Sequence, residues 1–178
     1  MTDRQPTESA SLDICDGSVL PWSRAENMLV SGPKGPLVGF FLGTVRPDGR
    51  PHAAGVGAVW HDGDLYFTSG RGTRKSRNLA KNRACTVSVK FPGIDLTFEG
   101  EATEVADRGT LEQVASVYRD LGWPAQVTGD GFVAPYSAPS AGPPPWHLYR
   151  FRFHTVVGLS TAEPHGATRW KFDRANGG

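Results

Sequence analysis

The chain carries only two cysteines, Cys15 and Cys85, in 178 residues. That excludes a disulfide framework, and two widely separated thiols match no zinc-ligand spacing. Its five histidines (His52, His61, His147, His154, His165) show no paired spacing of the HxxxH kind, so no metal site is expected. A Gly-x-Ser-x-Gly elbow, a P-loop and a Cys–His arrangement are all missing. No apolar stretch approaches a membrane span. The first twenty residues are polar, carry Asp13 and Asp16, and hold no apolar core of signal-peptide length. A reducing, cytoplasmic setting is the expectation. Net charge is +1, which excludes bulk attraction to nucleic acid or membrane, so any charged site must be local.

One absence is local and points to a site. Between Leu65 and Ile94 there is no acidic residue, while six basic ones fall between Arg71 and Arg83. An apolar strand (Leu65, Tyr66, Phe67) runs through Thr68 and Ser69 into Gly70-Arg71-Gly72-Thr73-Arg74-Lys75-Ser76-Arg77-Asn78-Leu79. A solvated basic helix or a generic nucleic-acid patch is the ordinary reading of such a run. Glycines and hydroxyls directly after a strand favour a phosphate cradle, with amides, the helix start and cationic side chains facing one anion. Nearby carboxylates would cancel that field, and there are none in the sequence window. A phosphorylated small molecule is the guest this chemistry fits.

At 38% hydrophobic residues the chain is long enough for one globular domain, burying roughly two-thirds of its unfolded surface. Residues 1–20 read as a mobile tail. Ser23 to Glu26 forms a capping box opening a short helix to about Val30, stopped by Ser31-Gly32-Pro33. Strands are expected over Leu37–Val45 and Pro51–Trp60, joined by Arg46-Pro47-Asp48-Gly49. After the turn His61-Asp62-Gly63-Asp64 comes the Leu65 strand. A basic helix over roughly Thr73–Asn82 and strands over Cys85–Phe91 and Leu96–Val105 follow. Thr110 to Gln113 reads as a second capping box, starting a helix with Leu111, Val114, Ala115 and Tyr118 on one face. Gly122 to Pro145 is Gly/Pro-rich without periodicity, and Trp146–Leu159 is a long final strand. This is a mainly β chain with peripheral helices, six or so antiparallel strands forming a β-barrel.

The run Ala53 to Ala58 is unusually small. It serves either close strand packing or a bulge, or lets a flat ring lie against backbone. Thr68 and Ser69 are either plain strand hydroxyls or hydrogen-bond partners for a ring edge. Arg169-Trp170 is either a capping aromatic with a surface charge or a pair that closes a pocket. The lack of an acid–base or nucleophile set suits a protein whose cofactor carries the reaction.

Three segments, Leu42 to His52, Val59 to Phe67 and Thr73 to Leu79, together resemble the FMN-binding split barrel of the pyridoxamine 5′-phosphate oxidase-like superfamily, in its flavin/deazaflavin oxidoreductase branch. The likeness covers most of Pro21–Val105 and returns at Leu148–Phe172. It implies a split barrel over 21–172, with 122–145 as an insertion that is a substrate-side lid or a disordered excursion, and a short tail at 173–178. It implies a homodimer with the cofactor, FMN or coenzyme F420, at the subunit interface. Thr73, Arg74 and Lys75 would hold the phosphate, with Asn78 in the same motif. Ala54, Val56, Gly57 and Val59 would line the ring, Phe67 and Thr68 would lie near its polar edge, and Asp95 is a weaker carry-over. Arg169, Trp170 and His52 would shape the pocket, and Tyr136 is a candidate proton source.

The chain ends Thr168-Arg-Trp-Lys-Phe172 where the oxidase has an Arg-x-His element, so vitamin B6 synthesis is not expected. That ending favours F420 slightly, and Arg71, Arg77 and Lys81 would serve its oligoglutamate tail. The implied activity is hydride transfer to or from a small organic acceptor. The competing reading is a non-catalytic carrier of a flavin or a tetrapyrrole-sized ligand.

Overall fold

The computed structural model describes residues 4–14, 17–32 and 39–173. Among these, eleven antiparallel strands and three α-helices form a mostly β fold whose sheet does not close on itself. The strands are β1 (Glu8–Ser11), β2 (Phe40–Val45), β3 (Pro51–Val56), β4 (Ala58–His61), β5 (Asp64–Ser69) and β6 (Ala84–Phe91). They continue as β7 (Ile94–Val105), β8 (Gln126–Thr128), β9 (Gly131–Val133), β10 (Trp146–Ser160) and β11 (Gly166–Lys171). The helices are α1 (Trp22–Val30), α2 (Arg74–Leu79) and α3 (Arg108–Asp120).

The main path runs β1-β11-β10-β7-β6-β2-β3. β10 is the hub. Residues 147–151 pair with β5, residues 155–160 with β11, and its other edge follows β7. Strict alternation on β6 and β7 sends Val87, Val89, Leu96 and Phe98 into one core. α1 covers that core with Trp22, Ala25 and Leu29. A second core gathers under α3, around Leu111, Val114, Tyr118, Phe132 and Leu148.

Several sequence expectations need correction. The residues expected to be a tail are partly tied down: Glu8–Ser11 pairs with β11, and Arg4 donates to Asp64 Oδ1 at 3.0 Å and to the Phe153 carbonyl at 2.6 Å. A four-residue polar strand has no local signal; its register comes from a distant partner. Cys15, Pro33–Val38 and 174–178 lie outside the described residues, so part of the Leu37 strand and of the C-terminal tail do too. The Ser23 box does not form. α1 starts one residue earlier behind Pro21, with no side-chain cap. Asp107, not Thr110, caps α3, accepting from the Thr110 amide and hydroxyl at 2.8 Å each. The Pro51–Trp60 strand breaks at Gly57 into β3 and β4. Finally, 122–145 is not a disordered excursion: it folds as the β8–β9 hairpin and a 3-10 turn at Pro139–Ala141, docked on β10. The two tight turns behave as read, with positive φ at Gly49, Asp62 and Gly63.

Candidate functional site

Two adjoining cavities meet at Lys75 and Ser140, which line both. One, of about 490 Å³, is the more polar: His52, Gly70, Gly72, Thr73, Arg74 and Lys75 lie on its wall, with Ala54. The other, of about 320 Å³, is mainly apolar and is walled by Val56, Gly57, Val59, Thr68, Tyr118 and Trp123 among others. Both volumes fall within, or adjoin into, the range of small-molecule sites.

The polar cavity is built from the end of β5 and the short α2. Thr73 is the N-cap, its hydroxyl accepting from the Ser76 amide at 3.3 Å. Ser69, Thr73 and Ser76 share a buried hydroxyl cluster with contacts of 2.8–3.1 Å. Their hydrogen-bonding capacity is therefore spent on shaping the turn. The helix has six residues, shorter than expected, so side chains rather than its dipole must supply most of the attraction to an anion.

Lys75 supplies it. It is 6% exposed, and among the described residues no carboxylate pairs with it. Burial lowers its pKa from the ordinary lysine value. His52 opposite is likewise held toward its neutral form, first by burial and then by Arg46, Arg74 and Lys75. The Arg46 Nε is buried without a hydrogen-bond partner. Buried cations lacking a counter-charge are costly, and an incoming dianion relieves that cost.

The apolar cavity takes its roof from Tyr118, Trp123 and Tyr136, none of which the sequence reading placed on a ring-binding wall. The α3 residue Tyr118 donates its hydroxyl to the Gly57 carbonyl at 2.7 Å, holding the break between β3 and β4; burial pushes its pKa up. Trp123 Nε1 donates to the Tyr136 carbonyl at 2.9 Å, and the Tyr136 hydroxyl donates to the Gly122 carbonyl at 2.8 Å. These two bonds brace the Gly/Pro-rich segment into a wall. Three aromatics, Trp123, Phe132 and Tyr136, inside an aperiodic stretch were the one available signal. The wall also reaches the turn between β5 and α2: the Gly70 amide donates to the Ala141 carbonyl at 3.3 Å, and a Cβ at Gly70 would lie 2.7 Å from that oxygen. Only glycine fits there.

Of the expected site residues, Ala54, Val56, Gly57, Val59, Thr68, Thr73, Arg74 and Lys75 line the cavities, as does His52. Four others do not. Phe67 is fully buried and stacks on Tyr149, with ring centroids 5.3 Å apart. Asn78 is buried and donates to Thr44 Oγ1 at 2.9 Å, fastening α2 to β2. Trp170 is a core residue whose indole donates to the Leu20 carbonyl at 3.1 Å, and Arg169 pairs with Glu8 at 3.5 Å. Asp95 lies on β7 across from Lys90 and Leu159, away from both cavities. Tyr136 lines the apolar cavity, but its proton is engaged.

An antiparallel, unclosed sheet with a glycine-rich, basic turn between β5 and α2 defines a split barrel. Residues 39–159 match the family model of pyridoxamine 5′-phosphate oxidase, and the chain belongs to that family. Among solved structures, a NimC/NimA family protein from Clostridium acetobutylicum is 17% identical over 83% of this chain and 90% of its own, with a TM-score of 0.58. A pyridoxamine 5′-phosphate oxidase-related, FMN-binding protein from Nostoc punctiforme is 20% identical over 89% and 93%, with a TM-score of 0.56. General Stress Protein 26 from Bacillus anthracis is 16% identical over 77% and 92%, with a TM-score of 0.53. At these identities the likeness is one of fold. Among curated proteins, none matches. No helix of the described residues is long and apolar enough to cross a membrane.

Proposed function

We propose that the chain is an oxidoreductase that binds FMN or coenzyme F420 and passes a hydride to or from a small organic acceptor. The observation that carries this reading is the largely buried Lys75 side chain, without an ion-pair partner among the described residues, at the junction of the two cavities. A flavin-type cofactor has that same division, a phosphorylated chain joined to a flat ring, so the residues fit it. When bound, its ring would supply the hydride chemistry. Lys75 and Arg74 would hold the phosphate, Ala54 would stand beside its chain, and Val56, Gly57 and Val59 would orient the ring. Trp123 and Tyr136 would keep water out.

F420 carries an anionic tail beyond the phosphate. Of the basic residues expected to meet it, Arg71 is engaged by Glu104 and Asp130. Arg77 and Lys81 are exposed and, among the described residues, form no ion pair. That pair, beside the equally exposed Arg74, sustains the slight preference for F420.

A homodimer forms part of this proposal. On the sheet face opposite the main core, Phe41 is 59% exposed and Leu159 51% exposed, among the small or hydroxyl residues Gly55, Ser88 and Thr97. A second copy of that face would cover them.

Fluorescence titration with FMN and with F420 tests the proposal. Lys75→Ala should weaken the true cofactor about 10- to 100-fold, as expected for a charge-assisted hydrogen bond. Unchanged affinity for both would refute the assignment. The carrier reading gains from one observation: apart from Lys75 and tyrosines, no titratable side chain lines the apolar cavity. Tight cofactor binding with no anaerobic turnover of any acceptor would favour it.

A further inference from the structure

A separate cluster lies where β7, the β8–β9 turn and β10 meet. Glu104, Asp130 and His147 each bring a ligand atom within 4.8 Å of the others. His147 is 2% exposed, flanked by Ser69 on β5 and Gly131 on β9. Its Nδ1 has no hydrogen-bond partner, yet it points into the cluster: it is 3.3 Å from Glu104 Oε1 and 3.7 Å from Asp130 Oδ1. A buried imidazole nitrogen aimed at two carboxylates, without the alignment of a hydrogen bond, is arranged as a metal ligand is. Bonds of about 2.0–2.2 Å at the tetrahedral angle place ligand atoms about 3.3–3.6 Å apart, which these separations approach.

The cluster already holds a cation. Arg71 Nη2 lies 2.7 Å from Glu104 Oε1 and 2.7 Å from Asp130 Oδ2. Arg71 is 60% exposed at its side chain and sits between Gly70 and Gly72, on the turn lining the polar cavity. It can therefore leave without opening the core.

We infer that Glu104, Asp130 and His147 form a binding site for a divalent transition cation of the Zn²⁺ class, for which the Arg71 guanidinium is the resident competitor. The donor set, one imidazole and two carboxylates, suits Zn²⁺ and leaves a position for water. Neutral His147 would bind through its Nδ1 lone pair. The cation would keep the β8–β9 hairpin fastened to β7 and β10 while freeing Arg71 and its turn.

Calorimetric titration of the full chain with ZnCl₂ in chelator-free buffer at neutral pH tests this. One Zn²⁺ should bind the wild type. Arg71→Ala should tighten binding about ten-fold or more by removing the competitor, and Asp130→Asn should weaken it about ten-fold or more. In Arg71→Ala, Co²⁺ should give visible ligand-field bands that are lost in Arg71→Ala/His147→Asn. The inference fails if Arg71→Ala binds no more tightly than wild type, or if Asp130→Asn leaves the affinity unchanged. Asp130 is on an exposed turn, so its variant reports even if Arg71→Ala folds poorly.

Discussion

Lys75, the residue proposed to hold the phosphate, shows how a buried cation taxes the protein that carries it. Its pKa lies below the ordinary lysine value because burial disfavours the ammonium. The unfolded chain thus holds that proton more tightly. The penalty stands in full below the folded value and fades as pH rises through it toward the ordinary one. Lys75→Met should therefore raise the melting temperature of the ligand-free protein by about 2–4 °C at neutral pH, for a gain of about 1 kcal/mol, and abolish stabilisation by the cofactor. Circular dichroism melts with and without cofactor check both halves. His52 is depressed for a related reason, burial first and then three nearby cations. An anion placed among them should raise its pKa. In NMR titrations, the His52 ring signals should titrate below the ordinary histidine range in the free protein and move upward when the phosphorylated cofactor binds.

At the scale of elements, α2 depends on one hydroxyl. Thr73→Ala removes the cap and leaves Ser69 and Ser76 without their shared partner. It should cost about 1 kcal/mol, seen as a drop of about 2–4 °C in thermal unfolding, while Thr73→Ser retains most of the stability. This part of the site was legible in the sequence because its determinants are local: a strand, two glycines, a capping threonine and a cationic run follow one another directly. The wall over the apolar cavity was not. β8 and β9 are three residues each, too short to show a period, and their placement depends on pairing with a strand far along the chain. Asn78 misled for the opposite reason. It lies within a motif whose members Thr73, Arg74 and Lys75 line a cavity, yet helical geometry turns it toward Thr44. Arg169 and Trp170 are neighbours in sequence, but on a strand adjacent side chains face opposite ways, so one enters the core and the other cannot follow it.

For the whole molecule, the proposed homodimer rests on the uncovered face around Phe41 and Leu159. Sedimentation equilibrium should show a dimer for the wild type and a monomer for Phe41→Glu, because a buried carboxylate facing its own copy is repelled and desolvated. A wild-type monomer at micromolar concentration would end the homodimer proposal. The two cores, by contrast, were partly visible beforehand. The alternation of β6, β7 and β10 and the apolar face of α3 place the right residues inside, but which core each joins is decided by sheet topology alone.

β10 crosses both cores and pairs along its length with β5, β7, β9 and β11. Neither core can melt while the other keeps this strand in place, so denaturant should produce a single sigmoid reported identically by far-ultraviolet dichroism and tryptophan emission. The amide deuterons of residues 147–159 should be the slowest in the protein to acquire, exchanging only when the entire chain opens.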